Sequence, residues 1–437
     1  MSPKRPVEKL SFSCTKQVTE FLLNGIDILG EKCIKIFWNY IDALPRKLRN
    51  EILISLFELT SIKTQKKWIA FCLFKFSCYK FDSRHVSRNY HRKFVYNLIN
   101  VRYLNLSDAE ITETILTRTI KRNPQLRVLI IPNKATNNVL KEITNLKHLK
   151  MLDISGNNQL TLEDLNYISS TSLEILTIGN SIISNLDFEN LAFILQKNPN
   201  LKEIKMYDYM GKALLTLKSP YICKLNAIRD YKTSTKQIKA IIGICPNLKK
   251  LSLETPDINI FKHLQQLTSL QTLKLTHCQN IELNLKNLTL KTLQIHSAII
   301  NSTKLCLTIQ NLLLKSCKLT HNDTICFRNL KTLELIDCNI KNKSTIMNFL
   351  TYANQLQRFT MSNDIGIDDE DIKLLCENKK LKSLETLWLS MAKQLTSDSV
   401  VRLMNHCDKL TSIGTLNGWN ISKDEVNYLR CFIYFKM

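Results

Sequence analysis

Cys278, Cys317 and Cys338 are the residues with the most chemical potential in this chain, because a set of thiolates can hold zinc or an iron–sulfur cluster. Such a site usually draws two ligands from one closely spaced C-x-x-C pair, and the chain contains none. The alternative is a small buried hydrophobe whose thiol makes a weak hydrogen bond. Without a paired ligand the cysteines read as such hydrophobes, so neither a metal nor any other cofactor is expected. Catalytic signatures are also missing. There are nine glycines and eight dispersed histidines, and no G-x-x-x-x-G-K, G-x-G-x-x-G or G-x-S-x-G stretch occurs. The expectation is a protein that is not an enzyme.

What precedes the three cysteines gives them a place. Each closes a stretch of the form L-x-x-L-x-L, as in Leu330, Leu333, Leu335, then Cys338, and Asn157 closes Leu149, Leu152, Ile154 in the same way. Thirteen such stretches begin near Val101, Leu126, Leu149, Leu173, Leu201, Leu248, Leu270, Leu290, Ile309, Leu330, Leu356, Leu384 and Leu410. The long gap between Leu201 and Leu248 has room for one degenerate unit around Ile222 and Leu225. This period is that of leucine-rich repeats. One such unit cannot bury its apolar face alone, so the units must stack. The expected fold is an α/β leucine-rich-repeat solenoid of about 13–14 repeats with an α-helical N-terminal module.

The expected division is a helical module over 1–98, the solenoid over 99–421 and a C-terminal capping helix over 422–437. Ser422 and Glu425 have capping-box spacing and would open that last helix. Amphipathic helices are expected over Thr345–Ala353, Asp369–Glu377 and Asp398–Cys407, whereas the short units between Leu270 and Leu330 leave room only for extended chain or a single turn. The acidic run Asp364, Asp368, Asp369, Glu370 and Asp371 suits a helix start, where the dipole favours negative charge.

Side chains alternate along a strand, so the residues between the inward leucines face outward. These include Lys205, Tyr207, Lys250, Glu254, Lys274, His296, Lys315, Glu334, Arg358 and Trp388. Lys205, Tyr207, Lys250, Lys274, Lys315, Arg358 and Trp388 are the candidate substrate-binding residues, a mostly basic lane with a tryptophan anchor. The formal net charge of +23 favours an acidic protein partner. Nucleic-acid binding is not expected as the main role, since no run of five like charges occurs. No apolar run is long enough to span a membrane, no signal segment is expected, and the 14 cysteines fit reduced thiols. The expected compartment is the cytoplasm, the nucleus or both.

Ahead of the repeats, apolar residues fall at helical spacing from Phe21 to Ile41 and again after Pro45, with a third apolar stretch from Trp68 to Phe76. Leu29, Cys33 and Phe37 follow the pattern L-x-x-x-C-x-x-x-aliphatic, and Leu44, Pro45, Leu48 and Ile52 follow aliphatic-Pro-x-x-aliphatic-x-x-x-aliphatic. The first resembles an elongin-binding box, with Phe37 standing where a smaller aliphatic is usual. Leu10, Cys14 and Val18 offer a second candidate for it. The second pattern resembles a cullin-2 box. Together, ahead of leucine-rich repeats, they resemble PRAME-type substrate receptors of cullin-RING ubiquitin ligases. That resemblance implies helices docking elongin C, elongin B and cullin-2 while the repeats hold a protein substrate. The segment from Leu44 to Leu56 is also similar to the opening of an F-box, which implies Skp1 and cullin-1 instead. A stand-alone leucine-rich-repeat scaffold or inhibitor is the third alternative.

Overall fold

The computed structural model describes residues 10–29, short stretches between 39 and 55, and, with brief interruptions, 79–430. The chain forms two compact units, 1–207 and 208–437. Each is a ladder of parallel strands in which one repeat supplies one rung, which is the α/β leucine-rich-repeat solenoid architecture.

In the first unit a helix, α1 (Leu10–Leu29), precedes the rungs. It starts earlier than the apolar spacing suggests, and both 30–38 and 56–78 lie outside the described residues. Pro45 opens a helical turn as its fixed φ predicts, with the Arg49 amide donating to its carbonyl at 3.1 Å. The strands are β1 (Lys80–Asp82), β2 (Tyr103–Asn105), β3 (Val128–Ile130), β4 (Met151–Asp153), β5 (Ile175–Thr177) and β6 (Glu203–Lys205). Helices α2 (His91–Asn97), α3 (Glu113–Arg122), α4 (Asn137–Ile143), α5 (Leu162–Leu165) and α6 (Phe188–Lys197) run between them. The register places Phe81, Leu104, Leu129, Leu152, Leu176 and Ile204 directly over one another, all buried. Rung β1 lies one strand ahead of the first L-x-x-L-x-L stretch. Phe81 fills its leucine slot, so the motif is not visible there.

The second unit carries α7 (Met210–Thr216), β7 (Ala227–Tyr231), α8 (Thr235–Ile244), β8 (Lys250–Glu254), β9 (Thr272–Asn284), β10 (Thr292–Lys304), β11 (Asn311–Lys315), β12 (Lys318–Leu319), β13 (Thr332–Ile336), β14 (Asn339–Ile340), α9 (Lys343–Tyr352), β15 (Arg358–Met361), α10 (Asp369–Glu377), β16 (Thr386–Leu389), α11 (Ser397–His406), β17 (Ser412–Ile413) and α12 (Lys423–Arg430). The degenerate unit supplies β7: Leu225 and Ile228 are buried as the pattern requires, but Asp230 takes the second strand position, opposite Leu253. In the short repeats the chain stays extended after the corner. β9 and β10 pair through Thr272–Thr292 and again through Leu283–Thr303, and β12 pairs β14. The three expected helices form as α9, α10 and α11 within two residues of their expected ends.

The corner cysteines turn inward. Cys317 Sγ donates to the carbonyls of Ile295 and Lys315 at 3.3 Å each, and Cys338 Sγ donates to those of Leu314 and Ile336 at 3.2 and 3.4 Å. Burial pushes the Cys278 thiol up to about 12, which keeps it a thiol donor at neutral pH. Asn157 does the same work with an amide, its Nδ2 donating to the Ile154 carbonyl at 2.6 Å, and its Oδ1 also accepts from the Ala135 amide at 2.8 Å. The acidic run also has a structural place. Asp368 and Asp371 form a capping box at α10, and Lys343 pairs with both, at 2.8 and 2.6 Å. At α12, the Ser422 amide donates to Glu425 and the Glu425 amide donates to Ser422 Oγ, the reciprocal cap that the sequence predicts.

Candidate binding face

The second unit's outward strand positions fall into three rows, because parallel pairing aligns equivalent residues across rungs. One row runs Lys250, Thr272, Thr292, Asn311, Thr332, Arg358, Thr386, Ser412. The next runs Arg229, Ser252, Lys274, Gln294, Leu313, Glu334, Thr360, Trp388. The third runs Tyr231, Glu254, Thr276, His296, Lys315, Ile336. The candidate cations therefore do not form a single lane. Lys250 and Arg358 are exposed in one row but separated by four neutral rungs, while Lys274 and Lys315 flank His296 on adjacent strands.

Electrostatics separate these groups further. Arg229 pairs with Asp208 at 2.7 Å and reaches Glu254 at 3.5 Å, so the nearest carboxylate on the β8 side is already engaged. Neither Lys274 nor Lys315 has an ion-pair partner among the described residues. Half-buried between them, His296 is held below the ordinary histidine range, first by desolvation and then by Lys274, Lys315 and His277. Its Nε2 is buried without a hydrogen-bond partner among the described residues.

Trp388 keeps 41% of its surface exposed, which is unusual for the largest side chain on a strand. A Cβ built on Gly414, at the equivalent outward position of the next rung, would come within 2.6 Å of the indole Cγ. The ring thus rests on that glycine. The signal was present in the sequence as a glycine two residues beyond Ser412, where a missing side chain marks close approach. Gly414→Val should push the indole into solvent. Acrylamide quenching of tryptophan fluorescence should then rise over wild type, and a Trp388→Phe background should abolish the difference. Unchanged quenching would mean that the ring does not depend on residue 414.

In the first unit Lys205 ends β6 half-buried, and Tyr207 lies outside the described residues. The outward row there is mainly apolar, with Tyr103, Val128, Met151 and Ile175 in register and half-exposed before Glu203. Sequence reasoning missed this row, although each of these residues directly precedes an inward leucine. A polar bridge crosses the position just before this row: Glu174 accepts from Lys150 and Lys202 at 2.7 Å each, and those two ammoniums hold its carboxyl down at about 2.

Of the adaptor candidates, Leu29 is the last residue of α1, and Cys33 and Phe37 lie outside the described residues. Leu44 is half-buried, Pro45 exposed, Leu48 40% exposed and Ile52 buried at 4%. The second elongin-box candidate lies wholly within α1. There Cys14 and Val18 are exposed one turn apart while Thr15, Thr19 and Leu22 are buried.

Ladder and face together define the class: a leucine-rich-repeat solenoid with open outward strand positions. No family model matches the chain, and no curated protein matches it. Among solved structures it is similar to an internalin from Listeria monocytogenes at 15% identity, covering 74% of this chain and 88% of that one, with a TM-score of 0.48. It is also similar to the Rad7 and Elc1 complex of yeast at 14% identity, covering 98% of both chains, with a TM-score of 0.37. Likeness to the leucine-rich-repeat ectodomain of a plant receptor kinase from Arabidopsis thaliana stands at 12% identity, covering 79% of this chain and 45% of that one, with a TM-score of 0.39. Among the described residues no helix is long and apolar enough to cross a membrane.

Proposed function

We propose that this chain is a non-enzymatic protein-binding scaffold, and more specifically the substrate-recognition adaptor of a cullin-RING ubiquitin ligase. In this reading the N-terminal helices dock elongin B/C and cullin-2, and the outward strand face holds a protein substrate. The observation that carries the binding role is the second unit's face, where exposed Lys250, Lys315 and Arg358 stand without ion-pair partners among the described residues and Trp388 is exposed beside them. The docking role is supported by the sequence motifs and by the exposure of Cys14, Val18, Pro45 and Leu48, which a helix-in-groove contact requires.

Affinity capture of the tagged full chain from eukaryotic cells tests this. Elongin B/C and cullin-2 should co-purify, and either Leu29→Ala/Cys33→Ala or Leu10→Ala/Cys14→Ala should remove them; which pair does so identifies the box in use. Trp388→Ala/Arg358→Ala should leave the adaptors bound. Recovery of Skp1 with cullin-1 replaces this reading with the F-box version. Recovery of neither adaptor leaves the stand-alone scaffold.

A further inference from the structure

Three strands of the second unit bring together basic groups that make no ion pair among the described residues. Register sets Lys274 of β9 opposite Gln294, and His296 of β10 opposite both Thr276 of β9 and Lys315 of β11. His277, at the β9 corner with φ 54°, adds a fourth basic group within electrostatic reach of His296. The acids of this face lie on the flanking strands, one rung from each lysine: Glu254 of β8 beyond Lys274, and Glu334 of β13 with Asp337 at its corner beyond Lys315, none of them within ion-pair distance of either lysine. Glu254 is already engaged by Arg229. Lys274 and Lys315 stand on β9 and β11 with His296 on the strand between them, so protonating the imidazole would set like charges on three successive rungs, which a bound anion would relieve.

From this we infer that the patch formed by Lys274, His296, His277 and Lys315 is a docking site for an acidic segment of a partner protein, whose carboxylates lie across strands β9 to β11. The inference rests on the proposed reading of this face as the partner-binding surface, and it names the partner's chemistry. Carboxylates complement two ammoniums that flank an imidazole on three successive strands, and protonation of His296, whose Nε2 is buried without a partner among the described residues, adds a further positive charge to the patch. At neutral pH burial first, and then the neighbouring cations, favour the neutral imidazole. A bound carboxylate reverses the balance, so binding takes up a proton and strengthens as pH falls toward the histidine range.

The probe is a fluorescein-labelled octaglutamate peptide, with octaglutamine and a single-stranded oligothymidine as comparators, read by anisotropy with the full chain at pH 7.5 and pH 5.5. Octaglutamate should bind more tightly than octaglutamine, and tighter at pH 5.5 than at pH 7.5. Lys274→Gln/Lys315→Gln should lose about tenfold in affinity. His296→Gln should keep most of the binding at pH 7.5 and lose its pH dependence. Lys236→Gln/Lys239→Gln removes the same charge from exposed positions of α8 and should leave binding unchanged. Circular-dichroism melts of the variants check that each remains folded. Equal loss in the α8 variant would reduce the effect to net charge and overturn the proposal. Tighter binding of oligothymidine than of octaglutamate, lost with Lys274 and Lys315, would overturn it in favour of nucleic acid. Adaptor capture depends on the N-terminal residues, so a failure of this assay with capture intact would sink the inference alone.

Discussion

Asn123→Ala is expected to destabilise the first unit by about 3 kcal/mol, because one amide satisfies three backbone groups that have no access to water. Asn123 is fully buried at the end of α3. Its Oδ1 accepts from the Val101 amide at 2.8 Å, and its Nδ2 donates to the carbonyls of Leu98 and Thr119 at 3.0 and 2.7 Å. Two of these partners belong to the preceding repeat, so the side chain ties one rung to the next. Alanine leaves a buried donor and two acceptors unpaired. Asn123→Asp keeps the acceptor for Val101 but turns a carboxylate oxygen toward two carbonyls, and at neutral pH should cost at least as much as alanine. Asn198 holds the same position after α6, accepting from the Ser170 amide at 2.9 Å and donating to Ile168 and Ile194 at 2.8 Å each. The two sites share no partner, so the double alanine variant should show nearly the sum of the single losses. Urea midpoints at unchanged slope measure this; a single-variant loss below about 1 kcal/mol would mean that the tie carries no weight.

These asparagines also show what a sequence hides. Asn123-Pro124, Asn198-Pro199 and Cys245-Pro246 mark helix ends, and the proline is enough to read them as such. That the asparagine reaches back to the preceding repeat depends on the stacking, which no local pattern records. The inward ladder was legible because its leucines recur at fixed offsets, and even the degenerate unit lay near where the gap placed it. The rungs without leucine in the expected slot were the obscure ones: Phe81 in β1 and Asp230 in β7. On the outward face the sequence shows which residues point away from the core, as for Lys274, Lys315 and Trp388. It does not show which of them become neighbours. Repeat lengths vary, so it is the strand register that puts Lys250 and Arg358 in one row with four rungs between them and sets His296 on the strand between two lysines.

Asp230→Asn is expected to stabilise the second unit at pH 7.5, even though Asp230 makes good hydrogen bonds. Its Oδ1 accepts from the Gly211 amide at 2.8 Å and its Oδ2 from Thr233 Oγ1 at 2.7 Å. Burial in a leucine slot nevertheless pushes its carboxyl up to about 6, outweighing those two bonds and the nearby Lys212, while Asp208 adds to the rise. The folded chain therefore holds this proton more tightly than the unfolded chain, whose carboxyl titrates near 3.8. Stability falls as pH rises between those two values, and the full cost, at most about 3 kcal/mol, is present above pH 6. Asparagine keeps an acceptor for Gly211 and can donate to Thr233 Oγ1, and it carries no charge at any pH. Its melting temperature should exceed wild type by a few degrees at pH 7.5, with the gap closing by pH 4. Asp230→Leu would restore the repeat pattern yet leave the Gly211 amide and the Thr233 hydroxyl unpaired. Gly211 is also tightly fitted here, since a Cβ on it would lie 2.6 Å from Asp230 Oδ2. The leucine variant should therefore be less stable than asparagine at every pH, and a leucine variant that matched it would show that the slot prefers apolar volume to hydrogen bonds.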